Sequence, residues 1–287
     1  MEQFKNEINL KIEEYILSHS NNENEKELLD HIFQGGKRLR PMICLAIGNS
    51  FNTDYSILDM ALAIELIHNS SLIIDDLPCM DNDQYRRGIL TVHAKYGENT
   101  AIQIAIKLMM DALNKIYKVI EVLPNKMTKI YQINNVIYKN LGRDGLPMGQ
   151  YIDLNFLKNN MCSKINRKEH TDLIFKKTTT LFNLSFMLSY LLFVNDENKI
   201  NIMEKTSKWF GLAFQLYDDF LDIEQDKEAN SPNFINQYGY DETLLLFKKS
   251  IEKTRKYLQL LDINMLFFDE LFTKLESTIP DKLTSIM

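Results

Sequence analysis

The chain has 287 residues, 45% of them apolar, and a formal net charge of −6, which is enough to bury a full core in one domain spanning 1–287. Acidic and basic residues are mixed along it without the basic stripe that a nucleic-acid surface needs, so nucleic acid is excluded as a partner. Cys44, Cys79 and Cys162 are odd in number and lack CxxC spacing; this excludes a disulfide framework and a zinc site and fits a reducing, cytoplasmic setting.

The acidic start, Met1 to Glu7, runs into a helical pattern and reads as neither a signal peptide nor an Arg-rich transit peptide. Only 10 Gly and 6 Pro punctuate the chain, and apolar residues recur at three- and four-residue spacing, which predicts helices throughout and no strands. They are expected near 3–18, 25–34, 40–50, 55–77, 92–121, 125–158, 167–194, 198–225, 239–262 and 264–279. About ten helices in one chain imply an all-α bundle. The apolar run Leu181 to Val194 is shorter than the roughly 20 residues a bilayer crossing takes and carries Asn183, Ser185 and Ser189, so it reads as a buried core helix and no transmembrane segment is expected. The stretch Asp241 to Leu261 alternates Leu and Phe with Lys and Glu in helical register, a solvated face on a packed helix.

The most informative segment is Leu72-Ile73-Ile74-Asp75-Asp76-Leu77-Pro78-Cys79-Met80-Asp81, an apolar helix ending in clustered carboxylates. His68 and Ser71 lie seven and four residues before Asp75, so a polar stripe climbs one helix face toward the acids. A second cluster, Gln215-Leu216-Tyr217-Asp218-Asp219-Phe220-Leu221-Asp222, puts Asp218 and Asp222 at i, i+4 with Gln215 on the same face. A lone acidic cluster is often a solvated patch, whereas two of them, each inside an apolar helix, point to divalent-metal and diphosphate chemistry. Bound Mg²⁺ would neutralise charge developing on a departing diphosphate. No base and nucleophile pair sits beside the acids, which favours C–O ionisation over water activation. Gly35-Gly36-Lys37-Arg38-Leu39-Arg40-Pro41 sets two glycines before cations near a helix start, and Arg86-Arg87-Gly88 follows the first acids; both suit oxyanion binding.

Together these residues resemble the trans-prenyl diphosphate synthase family, whose landmarks are GGKRxRP, DDxxxxD followed by RRG, and a second DDxxD. The two-residue insertion in Asp75 to Asp83 looks most like geranylgeranyl and farnesyl diphosphate synthases. The resemblance covers roughly residues 35 to 222 and implies an isoprenoid synthase fold around a central cavity and a homodimer. By the same resemblance Asp75, Asp76, Asp81, Asp218, Asp219 and Asp222 would hold Mg²⁺ for the allylic diphosphate, which Arg86 would also touch. Lys37, Arg40, His68 and Arg87 would bind the diphosphate of isopentenyl diphosphate. Lys177-Thr178 and Phe214-Gln215 match the family's Lys-Thr-Gly and Phe-Gln sites, so Lys177, Thr178 and Gln215 would contact the allylic diphosphate or the cation. The implied reaction joins isopentenyl diphosphate to an allylic diphosphate without a protein nucleophile.

Four departures mark the chain. Thr179 replaces a glycine, adding bulk beside the reacting carbons; Ala105-Ile106 stands where Gly-Asp is usual; and Pro147 is expected to kink the helix through Gly142 to Gln150. After Asp222 the usual Gly-Lys…Gly-Lys-Asp loop is missing, with Lys227 the one nearby cation. A terpene cyclase is disfavoured by the intact second Asp motif, and a non-catalytic regulatory subunit by the presence of both. Ser71 and Ser70 lie four and five residues before Asp75; in the farnesyl-type relatives that the chain resembles an aromatic ring at the fifth position would stop a growing tail, and Ser70 leaves that space open, so geranylgeranyl diphosphate is the expected product and farnesyl diphosphate the alternative. Ile67 and Ile64, with Met109 or Leu113, are expected to form a deeper floor.

Overall fold

The computed structural model describes residues 1–51, 57–142, 145–158, 167–228 and 232–279, with the side chains at 153–158, 177 and 228 outside this set. Its backbone contacts fall into two units, Met1–Tyr131 and Gln132–Met287. The all-α expectation holds.

The first unit contains α1 (Glu2–His19), α2 (Glu23–Phe33), α3 (Leu39–Gly48), α4 (Ile57–Asp75), a hairpin of β1 (Tyr85–Arg86) and β2 (Ile89–Leu90), α5 (Val92–Tyr96) and α6 (Glu98–Glu121). α2 starts where Asn22 accepts the Glu25 backbone N–H at 2.9 Å and the Glu25 carboxylate reaches back to the Asn21 N–H at 2.8 Å, a reciprocal cap. The helix expected at 92–121 is broken in two at Gly97, whose φ of 87 a side chain would resist. Packed along α3 and α6, α4 is apolar nearly all round, with Ala63, Ile64, Leu66 and Ile67 buried. This helix, rather than Leu181 to Val194, is long and apolar enough to cross a membrane by length and composition, but 67% of it is buried inside the protein. It also carries a buried ion pair, so it reads as a core helix. The hairpin is the one pairing of strands among the described residues; its two-residue turn, Arg87-Gly88, has φ of 56 and 81, the left-handed pair that tight hairpins require.

α7 (Lys126–Leu141) carries the boundary between the units. The second unit continues with α8 (Leu146–Lys158), α9 (Arg167–Ile174), a π-helical turn at Phe175–Thr179, α10 (Thr180–Leu191), α11 (Glu197–Leu221), α12 (Ile223–Glu228), α13 (Phe234–Tyr238), α14 (Tyr240–Leu260) and α15 (Leu266–Ser277). Its core is aromatic: Phe210 of α11 lies 5.0 Å from Phe182 and 5.2 Å from Phe186 of α10 and 6.3 Å from Phe272 of α15. Pro147 does not kink a continuous helix. The helix ends at Leu141 and restarts at Leu146, which puts Pro147 in a first turn, where its missing N–H costs nothing. α14 buries Phe247, Ile251 and Leu258 and exposes Leu245 and Leu260, the packed and solvated faces expected of it.

Candidate active site

In the first unit the glycine-rich turn, α4 and the hairpin assemble the basic groups. Gly35, Gly36 and Arg38 all have positive φ, at 73, 92 and 54. A Cβ on Gly36 would come within 2.8 Å of Arg87 Nη1 and 3.0 Å of Arg38 Nη1, so glycine there lets two guanidiniums approach one backbone. Arg38 itself turns inward: Nη1 pairs with Glu65 Oε1 at 2.8 Å, Nε donates to Asn9 Oδ1 at 3.1 Å and Nη2 donates to the Phe33 carbonyl. Asn69 Nδ2 also donates to Glu65 Oε1, at 3.1 Å. Both charged partners are buried, and breaking such a pair costs about 3–5 kcal/mol. Lys37, between Gly36 and Arg38, is exposed. The motif therefore divides into a structural arginine and a presented lysine.

Arg40 Nη1 lies 3.3 Å from His68 Nε2. Burial, reinforced by the charges of Arg40, Arg87, Arg86 and Arg38, holds the His68 imidazole well below its ordinary pKa. The ring is neutral, and with Arg40 donating to Nε2 its proton belongs on Nδ1, a buried atom without a hydrogen-bond partner among the described residues.

Past the end of α4 the chain folds back. Met80 N–H donates to the Leu77 carbonyl at 2.8 Å, Asn82 N–H to the same carbonyl at 3.1 Å with Asn82 at φ 57, and Asp81 N–H to the Asp75 carbonyl at 2.9 Å. Six positions apart in sequence, Asp75 and Asp81 thus become backbone neighbours. Asp76 is buried and accepts from Arg86 at 2.5 Å, while Arg86 Nη2 also reaches Asp83 at 3.0 Å. Burial raises the Asp76 pKa and the guanidinium works against it.

In the second unit Lys177 belongs to the π-helical turn, its side chain lying outside the described residues. Thr178 Oγ1 donates to Gln215 Oε1 at 2.5 Å, Gln215 Nε2 donates to Asp219 Oδ1 at 2.9 Å, and the Phe234 N–H donates to Asp219 Oδ2 at 2.9 Å. Asp219 is 2% exposed, and burial pushes its pKa up to about 7. Asp218 and Asp222 share the last turn of α11, where the Asp222 N–H donates to the Asp218 carbonyl at 3.0 Å. Thr179, the residue in place of a glycine, packs toward a neighbouring helix. It is buried against α11, where a Cβ on Gly211 would lie 2.4 Å from Thr179 Oγ1, so the missing side chain of Gly211 accommodates it. Lys227 is exposed on α12.

Among the described residues no three His, Cys, Asp or Glu side chains converge as a ready-made metal site. The carboxylates present are hard oxygen donors of the kind Mg²⁺ takes one or two at a time beside phosphate oxygens and water, so the chemistry of the donor set fits that ion.

A family model described as polyprenyl synthetase matches residues 22–258. The chain belongs to the polyprenyl synthetase family. It is 35% identical over 214 residues to the farnesyl diphosphate synthase of Buchnera aphidicola subsp. Acyrthosiphon pisum, covering 73% of each chain. It is 30% identical over 267 residues to the chloroplastic geranylgeranyl pyrophosphate synthase of Catharanthus roseus, covering 90% of this chain and 71% of that one. The fold matches a Helicobacter pylori geranyltransferase solved with magnesium and isoprenyl diphosphate, at a TM-score of 0.76, 27% identity and 96% coverage of both chains. This polyprenyl synthetase family member is therefore a trans-prenyltransferase.

Sequence reasoning missed Glu65, Asn69 and Asn233. A signal for the first existed: a glutamate inside Ala63-Ile64-Glu65-Leu66-Ile67 has to find a cation, and the unassigned Arg38 of the glycine-rich motif was available.

Proposed function

We propose that the chain condenses isopentenyl diphosphate with an allylic diphosphate, using Mg²⁺, to give an all-trans product of twenty carbons, geranylgeranyl diphosphate. The observation that carries this reading is the fold-back that makes Asp81 a backbone neighbour of Asp75 just ahead of Arg86, in a chain of this family. Asp75, Asp76 and Asp81, with Asp218, Asp219 and Asp222, are the metal-site residues. Lys37, Arg40, His68 and Arg87 bind the isopentenyl diphosphate, with His68 Nδ1–H as a neutral donor; Arg86, Lys177, Thr178 and Gln215 serve the allylic substrate. Bound Mg²⁺ supplies Lewis-acid neutralisation of the departing diphosphate.

The decisive experiment is incubation with isopentenyl diphosphate, Mg²⁺ and each of dimethylallyl, geranyl and farnesyl diphosphate, followed by product chromatography. Elongation is expected. No elongated product from any primer would overturn the reading in favour of a non-catalytic subunit.

Twenty carbons is supported by the small side chain at Ser70, with Ile67 and Ile64 buried on the same helix. Fifteen carbons is favoured by a different observation: Ser70 Oγ donates to the Ala105 carbonyl of α6 at 2.8 Å, so α4 and α6 are in close contact at that level. Ser70→Tyr is expected to shorten the main product from C20 to C15, with Ser70→Ala leaving it unchanged; a wild type that releases mainly C15 would make this a farnesyl diphosphate synthase. A homodimer is supported by the exposed stripe of Ile102, Ile106, Met110 and Tyr117 along α6. A cytoplasmic setting is supported by the exposed free thiol of Cys79, Cys162 lying outside the described residues.

A further inference from the structure

We propose that Asn233 is a positioning residue for the second aspartate cluster, anchoring the segment after α12 to the end of α11; this rests on the reading that Asp218 and Asp222 hold Mg²⁺. Asn233 is fully buried, and every hydrogen-bonding valence of its amide is used. Nδ2 donates to the Asp219 carbonyl at 2.9 Å and to Asp226 Oδ2 at 2.9 Å. Oδ1 accepts from the Ile235 N–H at 2.9 Å and the Asn236 N–H at 3.2 Å, capping α13. The next residue, Phe234, donates its N–H to the Asp219 carboxylate at 2.9 Å.

Position explains why this matters. α11 stops at Leu221, so the carbonyls of its last turn lose their helical partners, and Asn233 supplies one to Asp219. The same turn carries Asp218 and Asp222. A side chain fourteen residues after Asp219 thereby fixes where the helix ends and how its flanking carboxylates are held. Two amide donors and a twofold acceptor are what the site asks for. Aspartate there would set a second carboxylate against Asp226, and serine would keep the cap but lose the two amide N–H donors that reach the Asp219 carbonyl and Asp226. The chain lacks the Gly-Lys…Gly-Lys-Asp loop after Asp222, and the buried amide anchors the shorter connection.

The test compares wild type with Asn233→Ser, Asp226→Ala and Asp218→Ala in the full chain. Binding of Mn²⁺ in the presence of inorganic diphosphate is read by electron paramagnetic resonance, alongside steady-state kinetics and thermal melting. For Asn233→Ser the expected result is about tenfold weaker Mn²⁺ binding and a similar rise in the allylic KM, with the isopentenyl KM unchanged. For Asp226→Ala, which breaks one of the two tethers, a shift of about threefold in the same direction is expected, and this variant decides the matter if Asn233→Ser does not fold. A lowered melting temperature with wild-type Mn²⁺ binding in the folded variant would overturn the proposal, since a merely structural role predicts that pattern. Asp218→Ala separates the two levels. If it binds Mn²⁺ like wild type, the metal reading fails and the proposal with it; if it loses Mn²⁺ while the tether variants match wild type, the tether alone is overturned.

Discussion

The two acidic clusters look alike in sequence and are built differently. In the first, the third aspartate returns to the first through a loop, by the bond from Asp81 N–H to the Asp75 carbonyl; in the second, a single helical turn sets Asp218 and Asp222 together. In both, the middle aspartate is the buried one and has protein partners: Arg86 for Asp76, and Gln215 with the Phe234 N–H for Asp219. The difference lies in the partner's charge. A cation compensates Asp76, whereas the partners of Asp219 among the described residues are neutral donors, and its pKa rises to about 7.

The comparison breaks most directly at the outer aspartates. Asp75→Ala and Asp218→Ala are each expected to cut turnover by at least about 1,000-fold, since metal stabilisation of the transition state is worth several kcal/mol. The melting temperature should hardly move, because removing one of several clustered like charges does not destabilise the metal-free fold. Near wild-type rates with saturating primer would show that the carboxylates do not hold the metal.

Next in size is the buried support beneath the first unit's basic groups. Glu65→Ala leaves Arg38 buried without its counter-charge and should cost about 3–5 kcal/mol in denaturant unfolding. A loss under 1 kcal/mol would mean that the Arg38 charge finds water.

Smaller, and more selective, are the presented cations. Lys37→Ala should raise the KM for isopentenyl diphosphate by about 10- to 100-fold, a charge-assisted contact being worth about 1.5–3 kcal/mol. Arg86→Ala should act on the allylic substrate and also release Asp76 and Asp83. Equal rises for both substrates in both variants would contradict the division.

The smallest effect concerns pH. His170 Nδ1 bonds Gln237 Oε1 at 2.9 Å and the ring packs 5.0 Å from Phe234; burial holds its pKa below 6.5 despite that bond. The unfolded chain therefore binds a proton near pH 6.5 that the folded chain refuses, so this stability is whole above 6.5 and is lost as pH falls below it. The slope is at most about 1.4 kcal/mol per pH unit for one site. His68 contributes with the same sign. Melting curves between pH 7 and 5 should show a shallower decline in His170→Asn than in wild type, and parallel declines would exclude His170 as the source.

Much of this was legible in the primary structure. Apolar residues at helical spacing announced the helices, and the acids at the end of α4 and on α11 announced both clusters, because periodicity and clustered charge are local properties. Breaks inside long helices were harder to see. Gly97 carries a weak local signal, but the π-helical turn at Phe175–Thr179 ends on Thr179, which packs against Gly211 thirty-two positions away, a contact no window on the sequence contains.

By itself, then, the sequence determined the all-α class, the family and the residue types available for diphosphate chemistry, all of which depend on local pattern and motif order. Tertiary structure alone decided which member of each motif faces inward. Lys37 and Arg38 are adjacent cations, and Asp218 and Asp219 adjacent acids, yet one of each pair is buried and the other is not. The choice falls to partners distant in the chain, Glu65 for Arg38 and Phe234 for Asp219, because a buried charge or polar group is stable only where folding delivers its hydrogen-bond partner.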